Sequence, residues 1–173
     1  MVTSSSLLIT AEDVTIPVTV QTRSHLPPGD VFRIVVPIDL SLIFKGWGPF
    51  PGVRGAHHQT GGWDAAGQSR NPDLTDGSTA LERLTEYTAP HSFAYEITAF
   101  TGPMKRLVMG VRGEWTFTPD GHGTLIRWTY EFKPLPRRRW LLRSIVIPLW
   151  RRYMQHGVDG ASRAAAELAA AVR

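Results

Sequence analysis

A chain of 173 residues, 42% hydrophobic and 20% charged, has the make-up of a single globular domain with one sizeable core. It contains no cysteine, which excludes a disulfide scaffold and thiolate chemistry. The net charge of +4 is unevenly placed: residues 137–173 hold eight arginines against Asp159 and Glu167, so this tail carries +6 and residues 1–136 carry −2. A general nucleic-acid-binding surface is therefore not expected. The polar start, residues 1–12, is expected to be flexible. It lacks the basic and long apolar regions of a secretory leader, and the cytoplasm is the expected location. The apolar stretch Ile145–Trp150 falls far short of the ~20 residues that cross a bilayer.

In chain order, Val14, Ile16, Val18 and Val20 alternate with Thr15, Pro17, Thr19 and Gln21, the pattern of a half-buried strand with Pro17 at an edge or bulge. His25–Gly29 is a turn, and Asp30 is placed to cap a short helix over Val31–Val36 that Pro37 ends. Ile38–Phe44 reads as a second short helix. Lys45–Gly55 is a loop rich in glycine and proline whose Trp47 and Phe50 either form a lid or pocket rim or plug the core.

Six strands follow: Val53–Gln59, Gly67–Thr75, Thr79–Thr88, Ser92–Thr101, Leu107–Thr118 and Thr124–Lys133. Turn residues such as Asp76-Gly77 and Pro119–Gly123 separate them and nothing helical intervenes, which makes an antiparallel meander. In the last hairpin apolar residues match only if odd positions of one strand oppose even positions of the next. That parity puts Arg112 opposite Glu131, or Glu114 opposite Arg127. It also gathers Trp115, Phe117, Trp128, Tyr130 and Phe132 on the inner face.

The tail, 138–172, is helical. From Pro148 onward Trp150, Tyr153, Met154, Val158, Ala161, Ala164, Ala165 and Leu168 fall on one stripe. The run to Val172 is roughly 37 Å long, enough to cross the sheet and cover its aromatic face. Its back half is mostly small residues, which allow either close helix–sheet contact or spare volume.

Arg70 ahead of Asp76-Gly77, Glu82-Arg83-Leu84 before Pro90, Arg112–Phe117, Pro119–Thr124 and Trp128–Phe132 together carry a resemblance. With one strand, two short helices, a six-strand meander and a long final helix, the chain resembles the START-like (SRPBCC) superfamily, in particular its polyketide cyclase/dehydrase branch. The resemblance implies an α+β helix-grip fold: a curved antiparallel sheet of about seven strands wrapped around the C-terminal helix. It also implies a cavity between helix and sheet, since the superfamily includes aromatase/cyclases, lipid carriers and hormone receptors. The expected ligand is a hydrophobic, polyketide-like or polycyclic small molecule. The expected activity is that of a cofactor-independent cyclase/dehydratase, with a non-catalytic carrier or sensor as the alternative. The loop Lys45–Trp63 departs from the pattern of these relatives.

No phosphate-binding loop or GxGxxG is present, and no His-x-His or HExxH points to a metal. His57 and His58 are neighbours on a strand, so their side chains should point to opposite faces. One of them is a candidate acid or base facing the cavity. Arg70 is a candidate for holding an enolate or carboxylate oxygen, and Glu82 for pairing with it or acting as a base; a surface ion pair is the alternative. Tyr95 shares a face with Phe93 and Ile97 and is a candidate hydrogen-bond donor. Trp47 and Trp63 are expected at the mouth. Trp115, Trp128, Tyr130, Trp150, Tyr153 and Met154 are expected as walls of a cavity or as solid core. The basic segment 137–152, with apolar Trp140–Leu142 and Ile145–Trp150 inside it, either solvates the helix edge or makes weak contact with a membrane surface.

Overall fold

The computed structural model describes residues 7–10 and 12–171. Strand β1 (Ile16–Ser24) buries Ile16, Val18 and Val20 on one face, following the alternation in the sequence. Pro17 sits on this strand at the sheet edge, where its missing N–H leaves no gap in the ladder. Helix α1 (Pro28–Val35) starts earlier than expected, and Asp30 is not its cap. Pro27 and Pro28 already fix backbone angles suited to a helix start, and Asp30 in the first turn instead pairs with Arg33 in the next. Helix α2 (Leu40–Ile43) is capped by Asp39, whose carboxylate accepts from the Ser41 N–H at 2.9 Å.

The meander comprises β2 (Val53–His57), β3 (Ser69–Leu74), β4 (Leu81–Thr88), β5 (Ser92–Thr98), β6 (Val108–Asp120) and β7 (Gly123–Pro134). With β1 closing on β7, the sheet order is β1-β7-β6-β5-β4-β3-β2, all antiparallel. Of the two registers open for the last hairpin, the molecule takes the one with Arg112 opposite Glu131; Glu114 then faces Thr129. The same register stacks Trp115 on Trp128, with ring centroids 4.9 Å apart. Irregularities at Val53/Gly55, Leu84/Glu86 and Val108/Gly110 add local bend, so the sheet curls.

After β7, one helical turn (α3, Arg139–Leu141) and a wide π turn (Leu142–Val146) lead into α4 (Ile147–Ala171), one helical run of 33 residues. Its stripe buries Tyr153, Met154, Val158, Ala161 and Ala165. Leu168, expected on the buried stripe, is 42% exposed and lines a shallow surface groove with Ile34, Pro37, Ile38 and Leu42 of the α1–α2 corner. Val172 lies outside the described residues, as do residues 1–6 and 11 of the expected flexible start. The described part of that start is anchored. The Leu8 N–H donates to Glu96, and its carbonyl accepts from Lys133, which also pairs with Asp13 at 2.8 Å.

The small residues of α4 serve close contact. A Cβ at Gly157 would lie 2.6 Å from the Phe44 ring and 3.2 Å from Trp128, and one at Gly160 would lie 3.1 Å from the Ile43 carbonyl oxygen. The helix therefore lies close against Trp128 of the sheet and the α2 corner around residues 157–160, whereas the preceding turns carry Leu149, Trp150 and Tyr153 and stand off. Gly157→Val should lower stability by about 1–3 kcal/mol by overpacking this contact, read as a shifted urea midpoint with an unchanged slope.

Candidate ligand cavity and its polar corner

Where α4 stands off the sheet, the two surfaces enclose a cavity of about 440 Å³. One wall is the concave sheet: Phe93, Tyr95, Trp115, Trp128 and Tyr130. The other is Val146, Leu149, Trp150 and Tyr153 of the tail, with Phe44 and Phe50 closing the side. Of the residues expected as walls, Met154 is the exception. It is fully buried but does not line the cavity, because its helix position points into the packed core.

Gly113 lies across the ladder from both Tyr95 and Tyr130. With no side chain there, the Tyr95 ring leans over the glycine; a Cβ at this position would come within 2.3 Å of it. The Tyr95 oxygen accepts from the Trp128 Nε1–H at 3.0 Å and from the Trp115 Nε1–H at 3.5 Å. Two indoles thus donate to this oxygen, and the Tyr130 hydroxyl stands beside it. Burial, reinforced by the negative charge of Glu82, holds the Tyr95 phenol well above its ordinary range. Burial does the same for Tyr130, with Tyr95 adding to the effect, and for Tyr153.

Arg70 and Glu82 are cross-strand partners on β3 and β4, and both are buried. The surface ion pair that the sequence left open is thereby excluded. Arg70 Nε donates to Glu82 Oε2 at 2.6 Å. Its two terminal nitrogens and Glu82 Oε1 have no side-chain partner among the described residues, and both groups line the cavity. Behind Arg70 lies Trp63, its ring 4.0 Å from the guanidinium carbon. Trp63 is therefore not at the mouth. It is 1% exposed, in a left-handed backbone conformation (φ 61°) that turns the indole inward under the arginine.

Trp47 is not at the mouth either. Gly46 and Gly48 both have positive φ and turn it outward, where it stacks on His156 and under Arg152. The same turn sends Phe50 inward, edge-on to Trp150 at 4.7 Å. The histidines also differ from expectation. His58 has φ 51°, so its ring swings back beside His57, 4.4 Å between centroids, rather than to the opposite face. His57 pairs with Asp73 at 2.8 Å, and neither histidine lines the cavity. Among the described residues no three His, Asp or Glu side chains are grouped to hold a metal ion.

A family profile described as "Polyketide cyclase / dehydrase and lipid transport" matches residues 15–166. The chain belongs to this family. Solved structures share the fold of this family member. A Thalictrum flavum norcoclaurine synthase point mutant, in complex with a transition-state analogue, has a TM-score of 0.65 at 13% identity, covering 91% of this chain and 98% of its own. Major latex-like protein 151 from Panax ginseng has 0.64 at 12%, covering 86% and 96%. The protein Ara h 8.0201 has 0.62 at 15%, covering 89% and 99%. At these identities the likeness carries the fold alone. No curated protein sequence matches the chain at a significant level. Membership of this family supports a hydrophobic-ligand-binding fold, and the cavity between helix and sheet is the candidate site.

Sequence reasoning missed Phe44 and Leu149 as lining residues and Gly113 as the residue that makes room for Tyr95. An inward-facing glycine in the alternation Val111, Gly113, Trp115, Phe117 was the available signal.

Tyr95→Phe leaves two buried indole N–H groups without their acceptor and should cost about 1–3 kcal/mol in chemical denaturation, with a change in tryptophan emission. The pH response follows from the raised phenols. The folded state keeps protons that the unfolded state releases above about pH 10. This contribution to stability is intact below that pH and falls as pH rises further. Tyrosinate absorbance should show three of the four tyrosines ionising only beyond the ordinary range, together with unfolding.

Proposed function

We propose that the cavity folds a hydrophobic poly-carbonyl molecule against its aromatic walls and catalyses cyclisation with loss of water, without a cofactor. The observation that carries this reading is the buried Arg70–Glu82 pair beside Tyr95, three complementary polar groups in a mainly apolar chamber. The volume of about 440 Å³ lies within the roughly 300–1,000 Å³ of small-molecule sites. Stacked indoles and phenyl rings supply orientation. Glu82 Oε1 takes a proton from a carbon between two carbonyls, and the Arg70 terminal nitrogens hold the enolate oxygen. The enolate carbon bonds to a more distant carbonyl carbon of the same molecule, whose oxygen, hydrogen-bonded by the Tyr95 O–H, receives the proton held by Glu82. Loss of a further carbon-bound hydrogen and the new hydroxyl as water leaves the ring double bond.

A second reading, a carrier that releases its ligand unchanged, is favoured by one observation. One Glu82 oxygen is already engaged by Arg70, and the phenols stay protonated. The discriminating variant replaces the pair as a unit, Arg70→Met with Glu82→Met, because removing one partner leaves a buried charge and costs about 3–5 kcal/mol. With a synthetic poly-β-ketone, the wild type should form dehydrated cyclic product by mass spectrometry. The double variant should bind an apolar dye normally while product formation falls by about a hundredfold or more. Unchanged poly-β-ketone recovered from the wild type would leave the carrier reading standing.

A further inference from the structure

The mouth of the cavity is marked by residues that both line it and face solvent: Ile145, 48% exposed, together with Pro49 and Pro103. The π turn Leu142–Val146, the 3-10 turn Pro103–Arg106 and the loop 45–51 meet there. Five residues before Ile145 stands Trp140, at 71% the most exposed large apolar side chain among the described residues. Between them Leu142 is fully buried and pins the segment to the core. From Phe132 to Val158 the chain has no Asp or Glu, and all six of its arginines are exposed. None of the six has an ion-pair partner among the described residues. Exposed Lys105 and Arg106 extend the basic collar, since the Leu135 N–H donates to the Leu107 carbonyl and ties the two segments together. The acidic side chain lining the mouth, Asp76, is held by Ser78.

The geometry points to the mouth as a docking face for an anionic lipid bilayer, on which a lipophilic ligand passes between membrane and cavity without crossing water. Trp140 and Ile145 enter the headgroup boundary, and the arginines around them meet lipid phosphates. Arginines alone would suffice to solvate a helix edge; an indole left in water among them needs a partner that is apolar and anionic together. No helix among the described residues is long and apolar enough to cross a membrane, so the contact is with its surface. A second copy of the chain fits poorly, because symmetric pairing would set one arginine collar against another.

Co-sedimentation with vesicles tests this. The full chain should bind phosphatidylcholine vesicles containing phosphatidylglycerol at least about tenfold better than pure phosphatidylcholine, and high salt should release it. Trp140→Ser should weaken binding roughly tenfold, and R138Q/R139Q/R143Q on the order of a hundredfold. Both variants alter exposed side chains and should keep the wild-type melting curve and apolar-dye uptake. Equal binding to the two vesicle types, no binding to either, or undiminished binding by Trp140→Ser would overturn the proposal. So would a dimer, seen by size exclusion, that Trp140→Ser dissociates. Dye uptake reads the cavity and vesicle binding reads the face, so either can fail without the other.

Discussion

A straight helix can touch a curled sheet closely along only part of its length, and in this chain glycine decides which part. At Gly157 and Gly160 the backbone of α4 lies against Phe44, Trp128 and the Ile43 carbonyl. One to two turns earlier Tyr153, Trp150 and Leu149 act as spacers. Because Trp128 and Tyr130 are adjacent inward residues on β7, the contact and the gap begin within a few ångströms of each other. The cavity is therefore not a packing defect but the consequence of placing small residues on one half of a helix and large ones on the other.

The polar corner depends on the same curl. On β3 and β4 Arg70 and Glu82 are among the side chains that face inward, and the cavity reaches them because the sheet wraps that far. A buried ion pair of this kind is seldom a source of stability, since desolvation offsets most of the attraction and an apolar pair of similar volume serves as well. What the pair provides is fixed position. Trp63 presses on the guanidinium from behind and Glu82 grips Nε, so the terminal nitrogens are aimed into the chamber.

Much of this was legible in the residue pattern. The strands of the last hairpin declared their parity through matched aromatic positions, and one of the two registers so allowed is the one adopted, Arg112 opposite Glu131. The edge proline of β1 and the apolar stripe of α4 were equally plain. The inward direction of Arg70 was not, because β3 reads Ser-Arg-Asn-Pro-Asp and offers polar residues on both faces, with no period of two to orient it. Trp63 and His58 misled for another reason. Both adopt left-handed backbone angles rarely taken by such residues, which reverse the direction that alternation assigns to His58 and turn Trp63 inward from its expected place at the mouth. Asp30 lost its place as a cap to two prolines just ahead of it.

The hydrogen-bond roles at the corner constrain what can be bound there. The Tyr95 oxygen already accepts from Trp115 and Trp128, so toward a ligand the phenol acts as a donor. Arg70 likewise only donates, whereas the unengaged oxygen of Glu82 accepts while it is ionised. A purely hydrocarbon guest would leave three buried polar groups unanswered, at a cost that its dispersion contacts would have to exceed. A guest with two acceptor oxygens and one exchangeable hydrogen between them satisfies the set. That is the pattern of a 1,3-dicarbonyl and its enol. Under the proposed function the polar corner selects among hydrophobic molecules by functional group, while the aromatic walls select by shape.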